Sequence, residues 1–297
     1  MKISPKLARA MLFGAALIWG SSFFVMKNTL DAVPPNLLLA IRFTAAGILM
    51  SAIFFPKLKK LNRTYLWQGA IIGALYYTAY CTQTIGLNNT TPGKNAFLTA
   101  IYCVLVPFLF WFVSKKRPDL WNLAAAFICI VGIGFVSLDG NFRIGFGDAM
   151  TLVGGFFYAA HMVAVALFTK DRDAILVTIL QFYYCALFSW IAHLLFEDTP
   201  ASIGSDAILA LAFLAVCCTA IAMLFQNVGQ KYTPPAPAAI ILSLESVFGV
   251  FFSVIAYNEQ LTVRLILGFA LIFVAVIISE TKLSFITERF SPQKNPQ

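Results

Sequence analysis

The feature that most constrains this chain is a succession of apolar runs, each about 18 or more residues long and bounded by charged or Pro-containing clusters. They lie near residues 9–26, 37–55, 65–86, 95–113, 121–138, 147–168, 174–195, 207–230, 236–257 and 262–279. A hydrocarbon core about 30 Å thick takes roughly 20 residues of helix, because backbone polar groups in lipid must be paired within the segment. Ten such runs use most of the 297 residues and leave short connections, none able to host another domain. Composition agrees, with 60% hydrophobic and 11% charged residues, where soluble domains average about 45–50% and about 25%. A soluble enzyme is excluded on this ground. The expected fold is an all-α membrane protein of ten transmembrane helices.

The 21 Lys and Arg residues sit mostly in the connections, and their distribution orients the chain. With the N-terminus in the cytoplasm, sixteen fall on that side, Lys27, Lys94, Arg143 and Arg264 fall on the other, and Arg42 lies within a run. Cytoplasmic loops carry such an excess, so both termini are expected inside and the number of spans even. The net charge of +8 then follows from topology and anionic lipid, which removes the case for a nucleic-acid partner. Lys2, Lys6 and Arg9 before the first run mimic a secretory leader. Bulky Trp19, Phe23 and Phe24, and the lack of a small-residue cleavage site near the run's end, favour an uncleaved first span. The six cysteines (Cys81, Cys103, Cys129, Cys185, Cys217 and Cys218) lie inside apolar runs without a CxxC pair or a nearby His cluster. They read as small buried hydrophobes, and no metal or cofactor is implied.

The chain also repeats itself. An offset of 143 aligns Gln83, Gly86, Thr90 and Pro92 with Gln226, Gly229, Thr233 and Pro235, a shared Q-x-x-G-x-x-x-T-x-P. An offset of 139 sets Trp19 and Gly20 against Tyr158 and Ala159, and Arg42 and Phe43 against Gln181 and Phe182. The halves are residues 1–140 and 141–281, followed by a cytoplasmic tail at 282–297. Five runs per half is an odd number, so the second half enters the membrane from the opposite side. Inverted repeats of this kind place a substrate site near the midplane and permit alternating access.

W-G-S-S-F at residues 19–23, R-F at 42–43, Q-x-x-G-L at 83–87, T-P-x-x-x-A at 91–96, and S-L-E-S-V-F-G with a closing N-E at 258–259 stand in this order along the two halves. In this pattern the chain resembles the drug/metabolite transporter superfamily, EamA type, from about Ala10 to Ser279. The resemblance implies a ten-helix exporter or importer of small metabolites in a bacterial-type inner membrane. Ser246 stands where the family often has Pro after the Glu of the ninth span, so the kink that Pro would impose is not assured.

Ionisable groups within the hydrocarbon are costly and face a cavity or a partner. Glu245 lies about 14 Å into the ninth run, near the midplane, where a desolvated carboxyl suits a proton carrier. A structural hydrogen bond to a neighbouring helix is the plainer alternative. Arg42 begins about 8 Å from the outer edge. It either snorkels to the interface, or binds a carboxylate or phosphate, or pairs with Glu245 in one state. His161 follows Tyr158 by one turn and is either a titrating group or a hydrogen-bonded packing group. His193, near a run's end, is expected at the interface.

Polar and aromatic residues recur at helical spacing: Tyr76, Tyr80 and Gln83; then Asn95, Thr99 and Tyr102; then Gln181 and Tyr184; then Gln226. Such faces turn inward, away from lipid. They either pair helices or line a cavity, and Tyr80, Tyr102, Tyr158 and Trp19 are the favoured liners. Enzyme signals are missing: there is no HExxH, GxxxxGK[ST] or GxSxG, and the two histidines are far apart. The reading is a secondary transporter, an exporter of small organic metabolites such as amino acids across the cytoplasmic membrane, with protons as a candidate coupling ion. A facilitative channel or uniporter, and a non-transporting receptor or scaffold, are the alternatives.

Overall fold

A computed structural model of the chain describes residues 4–115, 117–138, 141, 143–168, 172–233 and 235–282. The tail from residue 283 onward, assigned from sequence to the cytoplasm, lies outside them. The first helix, α1 (Pro5–Thr29), starts at Ser4, whose hydroxyl accepts from the Leu7 amide. Pro5 occupies the first helical position, where a missing N–H costs nothing. Helix α2 (Pro35–Ile53) also opens on Pro, and its free amides reach a distant carboxylate: Glu197 accepts from Asn36 N at 2.9 Å and Leu37 N at 3.1 Å. A single turn, α3 (Phe55–Leu58), leads to α4 (Arg63–Asn88), capped by Asn62.

Helices α5 (Pro92–Thr99) and α6 (Tyr102–Ser114) divide the expected run at 95–113 in two. Pro107 in α6 has no N–H for the carbonyl of Cys103, and Ser279 Oγ donates to that carbonyl instead at 3.1 Å. Then follow α7 (Leu120–Ser137), α8 (Phe146–Phe168) and α9 (Ala174–Phe196), with Asp119 and Asp173 capping α7 and α9. The expected run at 207–230 becomes α10 (Ser205–Ala215), a six-residue π-helical segment (Val216–Ile221) and α11 (Ala222–Lys231). The chain continues with α12 (Pro235–Tyr257) and α13 (Val263–Thr281).

Among the described residues the fold is all-helical, with one isolated bridge between Leu138 and Ile144. Among the described residues, eight helical segments are long and apolar enough to cross a membrane. The two further expected runs fall on α4, which carries Gln68, Gln83 and four tyrosines, and on α12, whose described apolar stretch is Ile241–Tyr257. The outer surface is apolar, with Leu194, Phe196, Phe127 and Leu209 among its most exposed side chains.

In lipid, helix association rests on close packing and interhelical hydrogen bonds rather than on escape from water. Helix α1 packs on α11 and α12, α4 on α8 and α9, α2 on α9, and α7 on α13. The approach of α1 to α12 depends on Gly20: a Cβ there would collide with the Phe248 side chain and stand 3.0 Å from the Glu245 carbonyl. Ser246 donates to the Ala96 carbonyl at 3.4 Å, so the position where the family often has Pro ties α12 to α5. The ends are joined by ion pairs, Lys57 with Asp173 at 2.6 Å, Lys94 with Asp148 at 3.2 Å, and Lys282 with Asp119.

Candidate functional site

A cavity of about 170 Å³ opens among α1, α4, α5, α6, α8, α9, α11 and α12. Ten of the thirteen residues singled out from sequence line it: Trp19, Tyr76, Tyr80, Gln83, Tyr102, Tyr158, His161, Gln181, Gln226 and Glu245. Three tyrosines pack together in its wall, with Tyr76 and Tyr80 centroids 4.8 Å apart and Tyr80 and Tyr158 5.2 Å apart, both edge to face. Tyr102 lies 6.1 Å from Tyr158, and the His161 ring 4.7 Å from Tyr76.

The polar atoms of this wall are tied to one another. Tyr158 Oη donates to Gln83 Oε1 at 2.9 Å, and Gln83 Nε2 donates to Thr99 Oγ1 at 2.9 Å. His161 Nε2 and Gln181 Oε1 lie 3.0 Å apart, with the ring N–H donating to the amide oxygen. Trp19 Nε1 donates to the Cys218 carbonyl at 2.8 Å, within the π segment. Networks fixed in this way hold ring faces in place, which suits a solute with a flat or apolar body and a few polar groups. Glu245 is the one carboxylate among the lining residues. Behind it a void of about 10 Å³, bordered by Tyr102, Ser243 and Ser246, is close to the size of one water.

The remaining three lie elsewhere. Arg42 is 1% exposed and sits behind Met26 and Tyr80. It does not snorkel. The helices around it bury the guanidinium, which lies over the Phe43 and Tyr80 rings. Among the described residues it makes no ion pair with Glu245. Asn95 is fully buried behind Gln83, donating to the Gln83 carbonyl at 3.1 Å and to Thr151 Oγ1 at 2.7 Å. Tyr184 stacks on Phe188 and packs with the cluster of Tyr65 and Leu180. His193 is buried at the end of α9 rather than open at an interface, with Nδ1 3.1 Å from Glu197 Oε2 and Nε2 2.9 Å from Thr199 Oγ1. Sequence reasoning missed the lining residues Ser22, Phe23, Met26, Met162 and Met223. Ser22, Phe23 and Met26 follow Trp19 by three, four and seven residues, so the helical period on α1 is the signal that would have found them.

Beyond the cavity, the C-terminal ends of α1 and α4 are latched together. Lys27 Nζ donates to the carbonyls of Leu87 at 2.9 Å and Asn88 at 2.8 Å, which is a cation at a helix C-terminus. Nearby, the Glu259 carboxylate accepts from Gly93 N at 3.0 Å and from the hydroxyls of Thr91 and Ser253, closing the N-terminus of α5.

The EamA-like transporter family model matches the chain twice, over residues 6–138 and 145–281. The chain belongs to this family. An uncharacterized transporter of Archaeoglobus fulgidus is 34% identical over 263 residues, covering 89% of this chain and 82% of the relative. The uncharacterized transporter YvbV of Bacillus subtilis is 27% identical, covering 95% of this chain and 94% of its own. The aromatic amino acid exporter YddG of Ancylobacter novellus is 27% identical over 239 residues, 77% of this chain and 81% of the relative. A solved crystal structure superposes with a TM-score of 0.65 at 19% identity, over 97% of this chain and all of the other, and shares the fold. These names describe transporters rather than enzymes. Together with the apolar helices, family membership makes this a multi-pass membrane protein that handles a small molecule.

Proposed function

We propose that this protein is a secondary transporter that exports a small organic metabolite with an aromatic or apolar body, such as an amino acid, across the cytoplasmic membrane by alternating access. The observation that carries this reading is the wall of the cavity, which draws on both halves in matched pairs. Trp19 and Tyr158, Gln83 and Gln226, and Tyr102 and Glu245 stand at equivalent positions of the two halves, and all six line it. Helix packing supports the same relation. The contact of α4 with α8 has its counterpart in that of α11 with α1, and α2 with α9 and α7 with α13 are exchanged into themselves.

This reading takes the chain as ten spans in two inverted halves, residues 1–140 and 141–281, and this symmetry and the double family match support it. An odd number of spans per half and the charge bias both fit cytoplasmic termini. The latch of Lys27 on α4 then closes the outer side. Trp19 and the tyrosines recognise the body of the solute, the amides orient its polar groups, and Glu245 carries a proton or organises the gate. The name of the YddG relative points to the same solute class.

The test is flux into liposomes holding the purified protein and a pH-sensitive dye, with a panel of amino acids, nucleosides, sugar phosphates and amine drugs. Saturable flux of aromatic amino acids in preference to the other classes is expected. Flux that rises linearly with concentration for every class would favour a channel, and binding without flux a receptor.

A further inference from the structure

Arg42 is a group whose surroundings transport of an apolar body does not explain. It is 1% exposed and joins none of the four ion pairs among the described residues. Its partners are neutral: Nε donates to Thr219 Oγ1 at 2.8 Å and Nη1 to Met26 Sδ at 3.2 Å. The guanidinium carbon stands 5.1 Å from the Tyr80 centroid and 5.5 Å from that of Phe43. A buried guanidinium without a counter-ion is costly, and aromatic faces offset only part of that cost. A thioether is a weak acceptor, whereas a carboxylate answers the planar fork with charge-assisted bonds. Met26 and Tyr80 both line the cavity, so one flexible side chain separates Nη1 from it.

The fork is aimed from outside α2. Thr219 belongs to the π segment, and its hydroxyl donates to the Leu214 carbonyl at 2.8 Å, five residues back, leaving its lone pairs to Arg42 Nε. The adjacent Cys218 carbonyl accepts from Trp19 Nε1, so one irregular turn fixes both a cavity ring and the cation. π-Bulges of this kind recur at functional sites.

We propose that Arg42 binds the carboxylate of the transported solute, that Met26 Sδ holds the place of a carboxylate oxygen, and that Thr219 is the positioning residue that sets the fork. This rests on the transport reading and narrows its substrate to organic acids and amino acids, at the expense of amines. The test is calorimetric binding to the purified protein in nanodiscs, using acid and amide pairs: L-phenylalanine with L-phenylalaninamide, 3-phenylpropionate with 3-phenylpropionamide, and L-leucine with L-leucinamide.

The wild type binds the acid of a pair roughly tenfold or more tightly than its amide. Arg42→Gln and Thr219→Val bring that ratio close to one, and Thr219→Ser retains it. Met26→Leu removes the competing sulfur and raises the acid-to-amide ratio. A wild-type ratio near one in every pair, or a ratio that survives both Arg42→Gln and Thr219→Val, overturns the proposal. An acid preference confined to the leucine pair and lost in Arg42→Gln keeps the carboxylate site and sinks the aromatic substrate instead.

Discussion

At the scale of single residues, depth in an apolar run is legible in the sequence and neighbourhood is not. A polar residue inside a span must face protein, so Tyr76, Tyr80, Gln83, Tyr158 and Gln226 belong to an inner face on sequence grounds alone, and all five line the cavity. The same argument places Asn95 and Tyr184 inward, yet packing covers them, because an inward face is wider than a cavity. Met26 and Thr219 carry no such signal, since a thioether or a hydroxyl in a span is ordinary until Arg42 is found beside it. For Glu245 the expectation is that Glu245→Gln keeps solute exchange but loses the dependence of net flux on an imposed pH gradient, read with an entrapped dye. Unchanged pH dependence would leave the carboxyl a structural role. At the protein's edge, the Lys282 ammonium bonded to Asp119 holds that carboxyl below its ordinary value of 3.8. A depressed carboxylate stabilises the fold above its unfolded-state value, and the contribution disappears as pH falls through the folded one. Lys282→Ala therefore lowers the melting temperature slightly at neutral pH, the pair being partly exposed, and the difference from wild type shrinks as pH falls below the ordinary carboxylate value and the folded-state carboxyl is protonated.

At the scale of elements, most helix boundaries follow from caps and prolines in the sequence, while the interruptions do not. Ser4, Asn62, Asp119, Asp173 and Thr262 each begin a helix with a side-chain cap, a local rule that needs no tertiary knowledge. The break between α5 and α6 and the π segment after α10 lie inside unbroken apolar runs. The π turn is stabilised by Trp19 and Arg42, both far away in sequence, so local composition does not announce it. Gly20 is where element packing meets the site, because α12 crosses α1 there at the Glu245 backbone. Gly20→Ala forces these helices apart and costs about 1–3 kcal/mol, the usual range for overpacking. It lowers the melting temperature in detergent and, by displacing Glu245, reduces flux beyond the loss of folded protein. A variant with wild-type melting and flux would show that the two helices tolerate a methyl group at their crossing.

At the scale of the whole molecule, the repeat is the most informative feature of the sequence, because a reading as inverted halves directs attention to their shared midplane. Two halves that meet at matched positions make a central cavity from Trp19 and Tyr158, Gln83 and Gln226, and Tyr102 and Glu245. In the proposed mechanism, rocking one half against the other exposes that cavity to each side in turn. The central claim is that the cavity is never open to both sides at once, and counterflow tests it most directly. Liposomes carrying the protein are preloaded with unlabelled L-phenylalanine or left unloaded, and entry of labelled L-phenylalanine is followed without a pH gradient. Alternating access predicts saturable entry that is several-fold faster into preloaded vesicles, because the loaded carrier returns with cargo. Entry that neither saturates nor responds to the internal solute would contradict the account and describe a pore.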